Sequence, residues 1–371
     1  MTRGRFAPSP TGRMHLGNVF CALLSWLSAK SKGGEWVLRI EDLDPQRSKK
    51  DYALQLMDDL QWLGLPWDGE PVWQSQRGEI YEEYLQRLTD MGLTYPCYCT
   101  RADIMATQAP HETDGRVVYK GTCRPNPPSP ITPHRSQLTV NRSPLTTTTR
   151  LIVPDCTIPF TDGHYGKHDI NLAEHCGDYI IRRKDGAWAY QLAVVVDDAL
   201  MGVTEIVRGR DLLLSSPQQI HLRNLLFQST DDRVQSTENR VQMTDGLLKR
   251  KTITDAARSV PTATSLTPQT VPLRQGDERS GGGGLTAHYS PFNVDFFHHP
   301  LLCNAEGQRL CKRDKSMDLG YLRGTGITPQ EIIGKLAYLA GLTDSTTPIT
   351  PSELLPLFSW KKVPTEDIIL K

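Results

Sequence analysis

Residues 4–41 read GRFAPSPTGRMHLGNVFCALLSWLSAKSKGGEWVLRIE, and their punctuation decides the fold. Gly4-Arg-Phe-Ala-Pro-Ser9 is a short strand-like run that breaks at the turn Pro10-Thr-Gly12. A helix is predicted from about Met14 to Ala29, stopped at Lys32-Gly-Gly34. Glu35-Trp-Val-Leu-Arg-Ile-Glu41 carries Trp, Val and Ile between turn signals and reads as a second strand. Ala53, Leu56, Met57, Leu60 and Leu63 then recur at helical spacing, with Gly64 as the C-terminal stop. Strand, helix, strand and helix in this order open a parallel α/β domain.

Further along, Ile80, Tyr81, Tyr84, Leu85 and Leu88 mark a helix ended by Gly92, and residues 125–150 are a loop rich in Pro, Ser and Thr. Val194-Val-Val196 and Glu205-Ile-Val-Arg208 resume strand-like patterning. From about Ser229 to His288 periodicity fades into Thr, Ser, Gln and Pro with a Gly281-Gly-Gly-Gly284 run, the pattern of a disordered insertion. Order is expected again from Pro291. Thr328-Pro-Gln-Glu331 and Thr350-Pro-Ser-Glu353 are capping boxes with Pro at the first helical position, so the C-terminal section is expected to be helical.

The 371 residues suit two domains at about 100–200 residues each. Forty-two Lys and Arg balance 42 Asp and Glu, so a polyanion partner needs a local basic patch rather than bulk charge. The longest apolar stretch, around Val19 to Leu27, is too short to span a bilayer, and Met1-Thr-Arg-Gly-Arg-Phe6 is no secretion signal. A cytoplasmic protein is expected, with its eight cysteines as thiols or metal ligands rather than disulfides.

Three constellations carry chemistry. His15-Leu-Gly-Asn18 sits at a loop-to-helix junction, where free N–H groups and the helix dipole seat a phosphate. A histidine there can donate to a phosphate oxygen as charge develops. Alone, it also reads as a surface histidine near a helix start. Gly307-Gln-Arg-Leu-Cys-Lys312-Arg-Asp-Lys-Ser316 offers lysines that could fold over a triphosphate, or simply a charged loop. Cys97-Tyr-Cys99 and Tyr119-Lys-Gly-Thr-Cys123 supply three soft ligands for tetrahedral Zn²⁺. A fourth is lacking unless the Tyr119 phenol, of unperturbed pKa ~10, is ionised by the cation. Cys21 reads as core, and Cys156, Cys176, Cys303 and Cys311 have no ligand spacing.

Together, His15-Leu-Gly-Asn18 and Arg309-Leu-Cys-Lys312-Arg313 resemble the HIGH and KMSKS signatures of class I aminoacyl-tRNA synthetases. Their context resembles the glutamyl branch: Arg5-Phe-Ala-Pro-Ser-Pro-Thr-Gly12, Arg39-Ile-Glu-Asp-Leu-Asp44, Tyr190-Gln-Leu-Ala-Val-Val-Val-Asp-Asp198, Val207-Arg-Gly209 and His299-Pro-Leu-Leu302. Asn18 stands for the final His of HIGH, Arg309 for the first Lys of KMSKS and Cys311 for its Ser, while the second Lys is kept as Lys312. The resemblance implies ATP binding by His15, Gly17, Asn18 and Lys312, with His15 and Lys312 catalytic. It implies that Arg5, Ala7 and Ser9 hold glutamate, that Glu41 accepts from its ammonium, and that Tyr190 and Arg208 line the pocket. Arginines for a dicarboxylate and one acid for an amine fit that substrate. From the residues alone, Arg5 could instead pair with Glu41 or Asp42 as an interstrand ion pair, and Tyr190 could be core.

The Cys-x-Cys…Tyr-x-x-x-Cys pattern is similar to the zinc site of glutamyl-queuosine tRNA(Asp) synthetases, implying one structural Zn²⁺ on Cys97, Cys99, Tyr119 and Cys123. Only 59 residues follow Lys312, leaving no room for the anticodon-binding region of full glutamyl-tRNA synthetases. The resemblance therefore implies glutamate activation with ATP and Mg²⁺, and transfer to queuosine in the anticodon of tRNA(Asp); a monomer with no membrane partner is expected. A minimal glutamyl-tRNA synthetase and a non-catalytic tRNA-binding paralogue are the alternatives. The expected architecture is a Rossmann-like parallel sheet with a zinc-bearing insertion and a small C-terminal helical appendage. The expected boundaries are 1–72 and 176–228 for the halves of the nucleotide-binding fold, 73–175 for the zinc-bearing insertion, 229–289 for the disordered insertion, 290–316 for the KMSKS-like region and 317–371 for the appendage.

Overall fold

A computed structural model describes residues 1–100, 103, 118–119, 121–125, 147–227, 294–310 and 318–370. The chain divides into two units, Met1–Leu226 with Thr286–Lys371, and Phe227–Leu285. The expected insertion at 229–289, Cys311, Lys312 and most of the 125–150 loop lie outside the described residues.

The opening stretch folds as β1 (Arg3–Phe6), α1 (Leu16–Lys30), β2 (Glu35–Ile40) and α2 (Lys50–Trp62). β1 and β2 pair in parallel from Arg3 opposite Glu35 to Phe6 opposite Leu38. In β2 Trp36, Val37, Leu38 and Ile40 are all buried, as expected of a parallel strand covered on both faces. Helix α1 is apolar almost all round because the sheet takes one side and the C-terminal helices the other.

After β3 (Val72–Trp73), α3 (Gly78–Asp90) leads to β4 (Thr94–Cys97). Next come β5 (Thr148–Leu151), β6 (Thr157–Asp162), β7 (Gly166–Asn171), the short α4 (Leu172–His175) and β8 (Ile180–Arg182). Then follow α5 (Tyr190–Leu200), β9 (Glu205–Gly209), α6 (Ser216–Phe227) and β10 (Asp295–His299). The large sheet has the order β3-β2-β1-β9-β10-β6-β7, parallel throughout except for the β6–β7 hairpin. A three-stranded antiparallel sheet, β4-β5-β8, stands apart. The span 73–175 thus supplies β4 and β5 to the small sheet and β6 and β7 to the edge of the large one.

Val194-Val-Val196, read as strand-like, lies inside helix α5. A short apolar run does not separate a strand from a helix buried on several sides, and Leu192 through Asp198 are all buried. Both capping boxes form: Thr328 heads α8 (Pro329–Leu339) and Thr350 heads α9 (Pro351–Leu354), following α7 (Leu319–Gly324). These helices share one core with α1 and α2 through Ile333, Leu336 and Leu354. The section also holds β12 (Ile368–Ile369), which returns to pair in parallel with β11 (Leu302–Cys303).

The strand order sets the position of the site. From β1 the chain moves outward to β2 and β3 on one side, while β9 and β10 lie on the other. The order therefore reverses between β1 and β9, and in parallel α/β sheets ligands bind beyond the carboxyl ends of the strands at that point.

Candidate active site and metal centre

A cleft of about 470 Å³ opens there, walled by the ends of β1 (Phe6, Ala7), β9 (Arg208, Gly209) and β10 (His299), with Glu41 following β2. Arg5, Ala7, Ser9, His15, Gly17, Asn18, Glu41, Tyr190 and Arg208 all line it. Of the residues assigned to ATP and glutamate, only Lys312 lies outside the described structure. Cys21, read as core, lines the cleft as well, and burial pushes its thiol up to about 11.

The loop after β1 is fixed by its backbone: Glu41 N donates to Pro8 O at 3.0 Å and Lys49 N to Pro10 O at 3.0 Å. His15 is the N-cap of α1 and makes a reciprocal capping box. Gly17 N donates to His15 Nδ1 at 3.1 Å, and His15 N donates to Asn18 Oδ1 at 3.1 Å. Because Nδ1 accepts, the ring of a neutral His15 carries its proton on Nε2, leaving that nitrogen a donor. A Cβ on Gly17 would lie 3.0 Å from His15 Cε1 and Nδ1, so any larger residue there crowds the imidazole where it folds back. Asn18 completes the cap through its amide oxygen, a local reason for Asn at the last position of the motif.

The acid–base wall is denser than the sequence suggested. Arg5 does not pair with Glu41 or Asp42: its Nε lies 3.5 Å from Asp198 Oδ1 and its Nη1 donates to Val207 O at 3.2 Å. Asp42 accepts from the Ser75 amide and hydroxyl instead. Arg39, wholly buried, donates to Asp198 at 2.5 Å and to Glu41 at 3.1 Å. Burial alone would raise Asp198, but Arg39 and Arg5 outweigh it and hold the carboxyl below its ordinary value. For Glu41 burial wins over Arg39 and Arg5, and the carboxyl sits above its ordinary value. The neighbouring Asp197 turns to another face of α5, accepting from Gln74, Arg77 and Tyr81 at 2.6–2.8 Å.

Arg208 is held from three sides: Nε donates to His298 Nε2 at 3.0 Å, Nη1 to Gln219 at 2.7 Å and Nη2 to Ser216 at 2.8 Å. Burial draws its pKa below the ordinary value, with Tyr190 opposing. Tyr190 is no core residue; it is 37% exposed at the cleft wall. Arg309, first residue of the KMSKS-like motif, also reaches the cleft and pairs with Asp211. The sequence reading assigned no role to Asp198, Gln219, Ser216, His298 or Asp211. Asp198 stood inside a quoted motif, but no local spacing ties the other four to the site.

The second constellation also converges. The Sγ atoms of Cys97, Cys99 and Cys123 lie within 4.8 Å of one another. Tyr119 Oη is 3.4 Å from Cys97 Sγ and 3.7 Å from Cys99 Sγ, and it accepts from Cys123 N at 2.7 Å. Three thiols and a phenol oxygen around one point are a donor set that suits tetrahedral zinc. Among the described residues no other such group occurs. Arg150 caps the Tyr119 ring at 3.8 Å from its centroid. Gly177 runs beside Tyr119 with φ +61°, where a Cβ would lie 2.4 Å from Tyr119 O. Asp178 then braces the centre by accepting from Tyr95 Oη at 2.5 Å, from Val153 N at 2.8 Å and from Arg124.

Residues 1–262 match the family model of the class I tRNA synthetases (E and Q), catalytic domain. The fold has the same affinity: a glutamate tRNA ligase from Elizabethkingia meningosepticum superposes with a TM-score of 0.66 at 23% identity, over all of this chain and 67% of that one. The parallel sheet is therefore that of a class I synthetase catalytic domain, a ligase. Among its relatives, the glutamyl-Q tRNA(Asp) synthetase of Symbiobacterium thermophilum is 37% identical over 99% of this chain and 95% of its own length. That of Nitratidesulfovibrio vulgaris is 35% identical over 100% and 95%, and that of Neisseria meningitidis 47% identical over 61% and 72%. The chain belongs to the glutamyl-Q tRNA(Asp) synthetase family. No helix among the described residues is long and apolar enough to cross a membrane.

Proposed function

We propose that the protein activates L-glutamate with ATP and transfers it to queuosine in the anticodon of tRNA(Asp). The observation that carries the reading is the meeting, in one cleft, of two buried arginines, Arg5 and Arg208, with the acid Glu41 and the His15 junction. Two arginines match the two carboxylates of glutamate, and Glu41 matches its ammonium group. The names of the relatives support the same substrate and the same acceptor.

In the reaction, a carboxylate oxygen of glutamate attacks the α-phosphorus of ATP in line, forming glutamyl-adenylate and releasing pyrophosphate. Gly17 and Asn18 present the start of α1 to the phosphates, where the helix dipole favours negative charge. His15 Nε2–H donates to a phosphate oxygen as charge builds on it, and Lys312 is assigned to the leaving pyrophosphate. Mg²⁺, brought with ATP, supplies charge neutralisation on the phosphates. A hydroxyl of the queuosine cyclopentenediol then attacks the adenylate carbonyl, giving the ester and AMP. Zn²⁺ on Cys97, Cys99, Tyr119 and Cys123 has a structural role, tying the end of β4 to the Tyr119–Cys123 segment away from the cleft.

Arg208 and Arg5 are held by the chain's own groups, so the glutamate site is formed without tRNA. Glutamate-dependent ATP–pyrophosphate exchange should therefore proceed in the absence of tRNA. A glutamyl ester should form on queuosine-containing tRNA(Asp) whose 3′ end was blocked by oxidation before the modified base was introduced. A requirement for a free 3′ terminus would reassign the enzyme as a minimal glutamyl-tRNA synthetase, and absence of exchange would overturn glutamate activation.

A further inference from the structure

Behind the cleft, two buried polar residues outside every quoted family motif, Asp162 and His298, form a chain that ends on Arg208. Asp162 closes β6, and His298 sits in β10, the neighbouring strand of the sheet. Asp162 Oδ2 lies 2.6 Å from His298 Nδ1, and His298 Nε2 lies 3.0 Å from Arg208 Nε. Asp162 and His298 are both sealed from solvent, and Arg208 is 4% exposed. The other Asp162 oxygen accepts from His164 N at 3.0 Å and Tyr165 N at 2.8 Å, which locks the carboxylate itself.

The chemistry of this chain is directional. An arginine Nε–H can only donate, so His298 Nε2 must be a bare acceptor, and the ring proton must sit on Nδ1. A carboxylate opposite Nδ1 fixes that tautomer, as it does wherever a carboxylate orients an imidazole. Burial keeps His298 neutral, with its pKa drawn down to about 4 against the pull of Asp162. Arg208 has five N–H donors, of which His298, Gln219 and Ser216 take one each. The remaining N–H groups are on the terminal nitrogens, where Tyr190 at the cleft wall also hydrogen-bonds the guanidinium.

Resting on the reading of Arg208 as a glutamate-binding group, we propose that Asp162 and His298 are positioning residues for substrate recognition. Asp162 selects the His298 tautomer that accepts from Arg208, and so holds the guanidinium edge beside Tyr190 in place for the substrate carboxylate. Neither residue touches substrate.

Asp162→Asn is the sharpest test: the amide keeps an oxygen for the His164 and Tyr165 N–H groups and turns an N–H donor toward the His298 ring, at the cost of the bond that Oδ2 accepts from His298 N at 3.1 Å. The ring must then accept at Nδ1 and carry its proton on Nε2, where it opposes the Arg208 Nε–H. Long-range ¹H–¹⁵N correlation of the histidine rings should show His298 protonated on Nδ1 in the wild type and on Nε2 in Asp162→Asn. In ATP–pyrophosphate exchange this variant and His298→Leu should raise the KM for glutamate by about 10–100-fold, the scale of losing a buried charge-assisted hydrogen bond, with the KM for ATP within twofold. His298→Gln, which keeps an oxygen acceptor facing Arg208, should recover most of that loss. A wild-type ring protonated on Nε2 overturns the proposal, as does a folded Asp162→Asn or His298→Leu whose glutamate KM stays within twofold of wild type. A wild type inactive in exchange would instead strike the glutamate reading, while the ring spectra still decide the tautomer.

Discussion

Arg39 Nη1 and Asp198 Oδ1 lie 2.5 Å apart, the arginine side chain fully sealed and the aspartate 4% exposed, and the same oxygen is 3.5 Å from Arg5 Nε. One carboxylate on α5 thus balances a cation on β2 and another on β1, across the switch point of the sheet. Breaking a buried pair by removing one partner costs about 3–5 kcal/mol, because the remaining charge is left uncompensated. Asp198→Asn is therefore expected to lower unfolding free energy by about that amount in urea titrations. Folded Asp198→Asn should also bind glutamate more weakly, since Arg5 loses its anchor. Wild-type stability and exchange would show the pair to be incidental.

Three buried histidines, His221, His298 and His299, have their pKa drawn down to about 4 by burial. At pH above ~6.5 both native and unfolded states hold them neutral, so they leave stability flat there. Between about 6.5 and 4 the unfolded chain takes up protons that the native chain refuses, so stability falls as pH drops. The slope is about 1.4 kcal/mol per pH unit for each histidine. Thermal melts from pH 8 to 4 should show a plateau and then a steep decline, and His221→Phe should flatten the decline. A flat profile down to pH 4 would mean that these rings titrate normally.

About one Zn²⁺ per chain should co-purify in the absence of chelators, and metal analysis decides it. Cys97→Ser or Cys123→Ser should lose the metal and expose residues 95–125 to proteolysis, because structural zinc contributes directly to folding. Tyr119→Phe keeps three thiols and should retain zinc at lower affinity. A metal-free wild type would sink the assignment.

Lys312→Ala should lower glutamate-dependent exchange by on the order of 10²-fold or more, the scale of removing one transition-state electrostatic donor, with glutamate binding much less affected. Lys315→Ala should stay near wild type. The reverse ranking would shift the register of the motif by three residues.

The central βαβ unit was legible because a breaker-rich turn, a helical period and a β-rich run follow one another within 41 residues, and local physics alone specifies such a unit. The two capping boxes were legible for the same reason, each being complete within four residues. Helix α5 was misread at Val194–Val196 because its apolar residues face several neighbours, which erases the period that tells a helix from a strand. The cysteine set was found as a pattern, but only the fold brings Cys123 Sγ within 3.5 Å of Cys99 Sγ, across 24 positions of chain.

By itself, the sequence determined the identities of the groups that line the cleft: Arg5, His15, Gly17, Asn18, Glu41, Tyr190 and Arg208 were all named from motifs, and all reach it. What each is bonded to was decided only by the tertiary structure. Arg5 faces Asp198 rather than Glu41, and Arg208 leans on a histidine 90 residues away that owes its tautomer to an aspartate 136 residues from it. A motif records which residue stands at the end of a strand. The partner of a buried charge depends on which strands become neighbours, and in a parallel sheet that order is set by crossovers rather than by any local stretch of chain.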